Sequence, residues 1–349
     1  MAKDREDDAR PAALPWLPLL PWQEEIARDT LAQRATWPSA LLIHGRRGIG
    51  KHGLALNYAQ ALLCESPRPD GVACGTCASC RYAVAGQHPD LMRLTLSEWN
   101  ADDDAFVPVE TISIKRIRDL IDFAQVTSHR QRAKVAVIAP AERMNPQAAN
   151  ALLKTLEEPP PGTYLILASD QPGRLPATIR SRCRQQAAPL PDRDAAIAWL
   201  TAQGVHDAPA VLAQAGGAPL LALEIADPAW QNERRVWLAA LAQPSRLGVI
   251  ALAARVDAGP KEERRARLAH AIDWLIAWTA DLARAAAGAS PQQNPDYARE
   301  VSALSGKVAP PALFRYHDLL LQQRALLAHP LQLRAVAEAA LIDYRALFN

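Results

Sequence analysis

The sequence predicts an α/β domain on a parallel sheet of the phosphate-loop type, carrying a cysteine-rich insertion and followed by two helical segments. Three observations predict it. Short apolar runs alternate with helical patterns as far as about residue 185, the signature of a parallel sheet covered on both faces. Between the first run and the first of these helices lies "GRRGIGK", residues 45–51, close to the loop pattern G-x-x-x-x-G-K-[ST]. Beyond residue 186 strand-like runs vanish, and Ala, Leu and Arg recur at helical spacing to the end.

Taken in order, the charged lead-in "MAKDREDDAR" lacks the apolar core of a secretory signal. The proline-rich "LPWLPLLPW" predicts an extended arm and "QEEIARDTLAQ" a helix. "SALLIHG" reads as a buried strand and "KHGLALNYAQALL" as the helix after the glycine loop. "DLMRLTL", "KVAVIAP" and "TYLILAS" are the further strands. "TISIKRIRDLIDFAQ" places Ile114, Ile117, Leu120 and Ile121 on one helical face. In "NPQAANALLKTLEEPP", Asn145 is a natural N-cap, Pro146 suits the first turn, and Pro159 stops the helix. These signals divide the chain at 1–185, 186–240 and 241–349, with Gly216 and Gly217 punctuating the second segment and "GASPQQNPD" forming a surface loop.

The 349 residues are 49% apolar and 22% charged with a net charge of +2. That composition supports a real core and supplies no global basic field that would demand nucleic acid. No run approaches the ~18 apolar residues of a membrane span, so a cytoplasmic location without membrane contact is expected.

Four of the five cysteines fall between residues 64 and 80. In a reducing compartment Cys64, Cys74, Cys77 and Cys80, spaced C-x9-C-x2-C-x2-C, read as metal ligands before disulfides. Four thiolates satisfy tetrahedral zinc and leave no open position. The expectation is therefore a structural Zn²⁺ stapling a module at about 64–82. An iron–sulfur cluster uses the same ligand count, but nothing else here suggests electron transfer.

The phosphate loop is damaged for catalysis. Gly45, Gly50 and Lys51 are in place, but His52 stands where a hydroxyl would ligate magnesium. Ala139 and Pro140 follow the third strand, where an acidic pair would hold the metal and position water. Glu142 is two positions out of register. Gly45, Gly50 and Lys51 can still be read as a weak phosphate cradle, since amides at a helix N-terminus attract anions without a metal. The plainer reading is a strand-to-helix turn kept for folding, with Lys51 solvated. In "RLPATIRSRCR", the triplet Ser181, Arg182, Cys183 puts arginine on a loop after the fourth strand, a group suited to reaching across an interface to a phosphate. "SHRQRAK", residues 128–134, reads as a solvated basic loop.

"LLIHGRRGIGK", the cysteine module, "GQHPDLMRL", "NALLKTLEEPPPGTYLILAS" and "LPATIRSRC" occur together in one order over about residues 20–185. In this the chain resembles the AAA+ subunits of the bacterial DNA polymerase III clamp loader. The resemblance implies an AAA+ domain, a small helical lid and a C-terminal helical collar. His52, Ala139 and Pro140 look like the non-hydrolysing member of that ring. The implied partners are an ATPase subunit and the delta subunit in a hetero-oligomer and, through the complex, the sliding clamp and primer-template DNA. Arg182 is then an arginine finger reaching in trans into a neighbour's ATP site, and the polymerase activity belongs to the holoenzyme. Two other readings are a self-sufficient AAA+ ATPase using Glu142, and a zinc-dependent nucleic-acid module. The latter has only Arg68, Arg81 and Tyr82 in the insertion to support it.

Overall fold

The computed structural model describes residues 15–100, 105–327 and 332–348; the charged lead-in "MAKDREDDAR" lies outside them. The chain divides into two compact units, residues 1–192 and 193–349.

In the first unit α1 (Glu24–Ala32) precedes β1 (Ala40–His44) and α2 (Lys51–Leu63). Then come α3 (Ala78–Val84), β2 (Leu91–Leu94), the strands β3 (Ser97–Asn100) and β4 (Ala105–Pro108), and α4 (Ile114–Gln125). The unit is completed by β5 (Lys134–Ile138), α5 (Pro146–Glu157), β6 (Thr163–Ser169), α6 (Ala177–Arg180) and β7 (Arg184–Ala187). Five strands form one sheet in the order β2-β5-β6-β1-β7, and every neighbouring pair is parallel. β5 is buried along its whole length, as expected of a central strand covered on both faces. Leu42, Ile138, Leu165 and Leu167 form a core with Ile117 and Leu120 of α4 and Leu152 of α5. Asn145 does cap α5, its side chain accepting the N–H of Ala148 at 2.8 Å.

Three strands go beyond what the sequence patterns predict. β7 reads "RQQA", too polar to stand out as a strand; it sits at the sheet's edge against β1 alone, where one side needs no apolar partner. Among the described residues β3 and β4 pair only with each other, with Trp99 and Phe106 edge to face at 5.4 Å.

The second unit is helical: α7 (Arg193–Ala202), α8 (Ala208–Gln214), α9 (Pro219–Ile225), α10 (Pro228–Leu241), α11 (Val249–Ala253), α12 (Arg264–Ala286), α13 (Ala298–Ser305), α14 (Pro310–Leu326) and α15 (Leu333–Ala346). Two apolar clusters lie among its described residues. One joins Ala196, Leu200, Leu212, Ala222 and Ile225 of α7–α9. The larger is centred on α12, whose Leu268, Ile272, Leu275, Trp278 and Leu282 recur at three and four residues. The loop predicted at the surface is anchored: Asp281 is fully buried and accepts the backbone N–H groups of Gln292, Gln293 and Asn294. Among the described residues no single helix is long and apolar enough to cross a membrane.

Candidate functional site

The carboxyl ends of β1, β5 and β6 lie side by side, where open parallel sheets place their ligand crevices. β1 runs into the loop Gly45–Gly50 and α2 starts at Lys51. Gly50 is the N-cap of α2 with φ of 93°. A Cβ there would stand 2.3 Å from Leu20 Cδ1 and 2.7 Å from Gln23 Nε2. The glycine is therefore demanded by the fold itself, whether or not a phosphate binds. The N-terminal arm supplies that crowding. Gln23, fully buried, and Trp22 both donate to the carbonyl of Ile49, at 3.1 and 3.0 Å. Asn57 donates to the carbonyl of Leu17 at 3.2 Å.

Lys51 is not solvated. Its side chain is 4% exposed and its ammonium pairs with Asp170, the residue after β6, at 2.5 Å. It also donates to the carbonyl of Arg46 at 2.5 Å. Two of its three donors thus face protein acceptors, and a phosphate would have to displace the Asp170 carboxylate. His52 does not replace the missing metal charge. Its Nε2 is buried without a hydrogen-bond partner. Burial, with the charge of Arg93 second, pushes its pKa down to about 4, leaving the ring neutral at pH 7. At the end of β5, Ala139 is 4% exposed and Pro140 follows; neither can bind a cation. Glu142 is turned to a structural task, its Oε1 accepting the backbone N–H of Asp170 at 3.1 Å.

The four cysteines converge, with their sulfurs all within 4.8 Å of one another. Cys64 lies at the C-terminal end of α2, and Cys77 is the N-cap of α3. The pairs Cys64–Cys77 and Cys74–Cys80 are each 3.9 Å apart between sulfurs. Two thiolates bound at about 2.3 Å to one tetrahedral ion would stand about 3.8 Å apart. Each of the first three sulfurs accepts a backbone N–H: Cys64 from Cys74 at 3.3 Å, Cys74 from Cys77 at 3.3 Å, and Cys77 from Cys80 at 3.4 Å. Such bonds stabilise thiolates over thiols. Cys74 is lowered to about 6, chiefly by the N–H of Cys77, while burial raises Cys64 and Cys80. The four residues can hold a metal such as zinc.

Arg182 follows α6. Its guanidinium pairs with Glu157 at the end of α5, with Nε 2.7 Å from Oε1. It also donates to the carbonyl of Thr178 at 2.9 Å. The side chain is 32% exposed and Glu157 48%, so the pair lies at the surface.

A family described as DNA polymerase III, delta subunit, matches residues 23–189. Over 340 residues the chain is 34% identical to the DNA polymerase III subunit delta' of Pseudomonas aeruginosa, covering 94% of this chain and 98% of that protein. The chain belongs to the DNA polymerase III delta-prime family. The delta' subunit of Escherichia coli is 31% identical over 282 residues, 78% of each chain. The DNA polymerase III subunit tau of Salmonella typhimurium is 36% identical over 146 residues, 42% of this chain and 21% of that one. A place in the clamp-loader complex follows from these relatives.

In this delta-prime chain several residues that motif reading passed over hold the site together. Asp170 and Glu157 are the partners of Lys51 and Arg182. His88, 4% exposed, accepts the N–H of Asp90 at Nδ1 (3.0 Å), which leaves the ring proton on Nε2. Nε2 lies 2.7 Å from Ser79 Oγ, and that hydroxyl donates to the carbonyl of Leu63 at 2.8 Å. This relay ties the cysteine module to α2. Asp90, fully buried, accepts the backbone N–H groups of His129 and Arg130 at 2.8 and 2.9 Å. Arg130 pairs with Glu65, and Lys134 is 3% exposed. The "SHRQRAK" segment is thus a buttress for the module, and only part of it is solvated. "GQHPD" carried the signal: two buried polar residues around a proline have little use unless both are hydrogen-bonded.

Proposed function

We propose that this chain is a non-hydrolysing member of the clamp-loader ring, helping to load the sliding clamp onto primed DNA while a neighbouring subunit burns ATP. One observation carries the reading: the ammonium that would grip phosphate is paired with Asp170. The lack of any carboxylate at Ala139 and Pro140 supports it further. Gly45, Gly50 and Lys51 act here as a strand-to-helix turn of degenerate phosphate-loop type, with nucleotide binding weak at most. Arg182 is the arginine finger, offered in trans. The ion pair with Glu157 that parks it is partly exposed and worth about 0–1 kcal/mol, so its release costs little. Cys64, Cys74, Cys77 and Cys80 hold a structural zinc ion that takes no part in chemistry. Residues 186–240 act as a lid and 241–349 as a collar joining the ATPase and delta subunits. The working place is the cytoplasm.

The test is DNA-stimulated ATP hydrolysis by the reconstituted loader, with wild-type chain and with Arg182→Ala, and by each chain alone. No turnover by the isolated chain, with a large loss in the complex carrying Arg182→Ala, is the expected result. Turnover by the isolated chain, or a complex indifferent to Arg182, would sink it.

A further inference from the structure

The four cysteines reach one place by different means. Cys77 is the N-cap of α3 and Cys80 lies in its first turn, and the N–H of Cys77 bonds Cys74 while that of Cys80 bonds Cys77. Local backbone geometry therefore sets three of the sulfurs. Cys64 differs, because it ends α2 with nine residues between it and Cys74. Its place depends on how the end of α2 is fixed against α3. Leu63, the residue before it, closes the last turn of α2, where a carbonyl has no helical N–H to accept from. The Ser79 hydroxyl, between Cys77 and Cys80, donates to that carbonyl at 2.8 Å. Gln60 of α2 adds a longer bond, 3.3 Å, to the carbonyl of Cys80.

The direction of that hydroxyl is fixed in turn. A serine hydroxyl carries one proton and two lone pairs. His88 Nε2, protonated because Nδ1 accepts the Asp90 N–H, donates to Ser79 Oγ at 2.7 Å. The serine proton is thereby left for Leu63. Ser79 is 1% exposed and His88 4%, so water hardly competes for either bond. Asp90 is itself anchored in the sheet, its carbonyl accepting the N–H of Val135 on β5 at 2.9 Å. A polar chain thus runs from the sheet, through His88 and Ser79, to the residue beside Cys64.

We propose that Ser79 and His88 are positioning residues for the metal: they bring Cys64 to the other three cysteines and so govern how firmly the ion is retained. This rests on the reading of the four cysteines as a zinc site. Without the Ser79 hydroxyl, the bonds within the turn at 74–80 remain, while the end of α2 loses its register on α3. The ligand set then falls from four sulfurs toward three. The test uses the full chain, loaded with Co²⁺ for spectra and with Zn²⁺ for release to a chromogenic chelator. The wild-type chain is expected to show the thiolate-to-cobalt absorption of four sulfurs. Ser79→Ala, which removes a single oxygen, is expected to lose part of it. Its zinc leaves about 10–100-fold faster, the usual cost of removing a partner behind a metal ligand. His88→Gln keeps an amide donor toward Ser79 and is expected to release zinc more slowly than His88→Leu, which keeps none. Once Cys64→Ser has removed the remote sulfur, adding Ser79→Ala is expected to change nothing further. Release at the wild-type rate in Ser79→Ala, or equal acceleration by Ser79→Ala with and without Cys64, would overturn the proposal. A wild-type chain without thiolate absorption would instead overturn the zinc reading beneath it.

Discussion

The pairing of Lys51 with Asp170 makes an asymmetric prediction. Lys51 is 4% exposed and Asp170 31%, so the two ends of one ion pair differ in their access to water. Asp170→Asn removes the countercharge of a buried ammonium and leaves it only neutral acceptors, the Arg46 carbonyl and the new amide oxygen. Breaking a fully buried pair costs about 3–5 kcal/mol. The partial hydration of Asp170 means that part of the attraction is already screened, which brings the expectation to about 2 kcal/mol. Lys51→Met instead leaves a carboxylate that can hydrate, and fills the lysine stem's space with a similar apolar chain. Its cost is expected below about 1 kcal/mol. For a unit of this size about 1 kcal/mol shifts the midpoint by roughly 2–4 °C, so Asp170→Asn lowers Tm by about 4–8 °C. Because the helical residues form a separate compact unit, the reading comes from hydrogen exchange of the β1 and β6 amides, with calorimetry beside it. The double variant completes a cycle with a coupling of at least about 1 kcal/mol. Equal costs for the two single variants, or a larger one for Lys51→Met, would show that Lys51 is not held by Asp170. Stabilisation of the isolated wild-type chain by millimolar nucleotide would show that phosphate competes for it.

Three further outcomes are expected. The purified chain carries about one zinc per molecule by elemental analysis; Cys77→Ser or a strong chelator removes it and unfolds the segment at 64–82, read as new protease cleavage there, and an intact segment without metal would count against a structural ion. Glu157→Gln frees Arg182, so the reconstituted loader keeps or slightly raises its ATPase rate, by up to about fivefold for a pair worth at most about 1 kcal/mol, whereas Arg182→Ala lowers it by ~10³–10⁵ if the finger acts in trans. His52 is held near 4 in the fold against about 6.5 when unfolded. Its contribution is fully present above pH 6.5 and is lost as pH falls toward 4, because the unfolded chain takes up a proton that the folded one refuses. The loss is on the order of 3 kcal/mol. His52→Gln flattens the pH dependence of stability over that window; an unchanged slope would place the ring in water.

Much of the first unit is legible because its signals are local. The helix at Lys51–Leu63 and the strand at Thr163–Ser169 follow the sequence patterns residue for residue, since apolar periodicity and flanking glycine or proline act within a few residues. Asn145 and Pro146 announce the start of α5 by the donors they satisfy or lack. β7 was hidden by its polarity, and the solvated state expected for Lys51 was wrong because its partner lies on another strand.

By itself the sequence determined the order of the elements, the loss of magnesium ligands at His52, Ala139 and Pro140, and the four-cysteine set. Each of these depends only on which residues are present and how they are spaced along the chain. The tertiary structure alone decided what the remaining charged groups do. Sheet order brings the end of β6 beside the loop after β1 and sets Asp170 on Lys51. The packing of α6 against α5 parks Arg182 on Glu157. Ion pairs and hydrogen bonds act over a few ångströms of space, and separation along the chain carries no record of that distance.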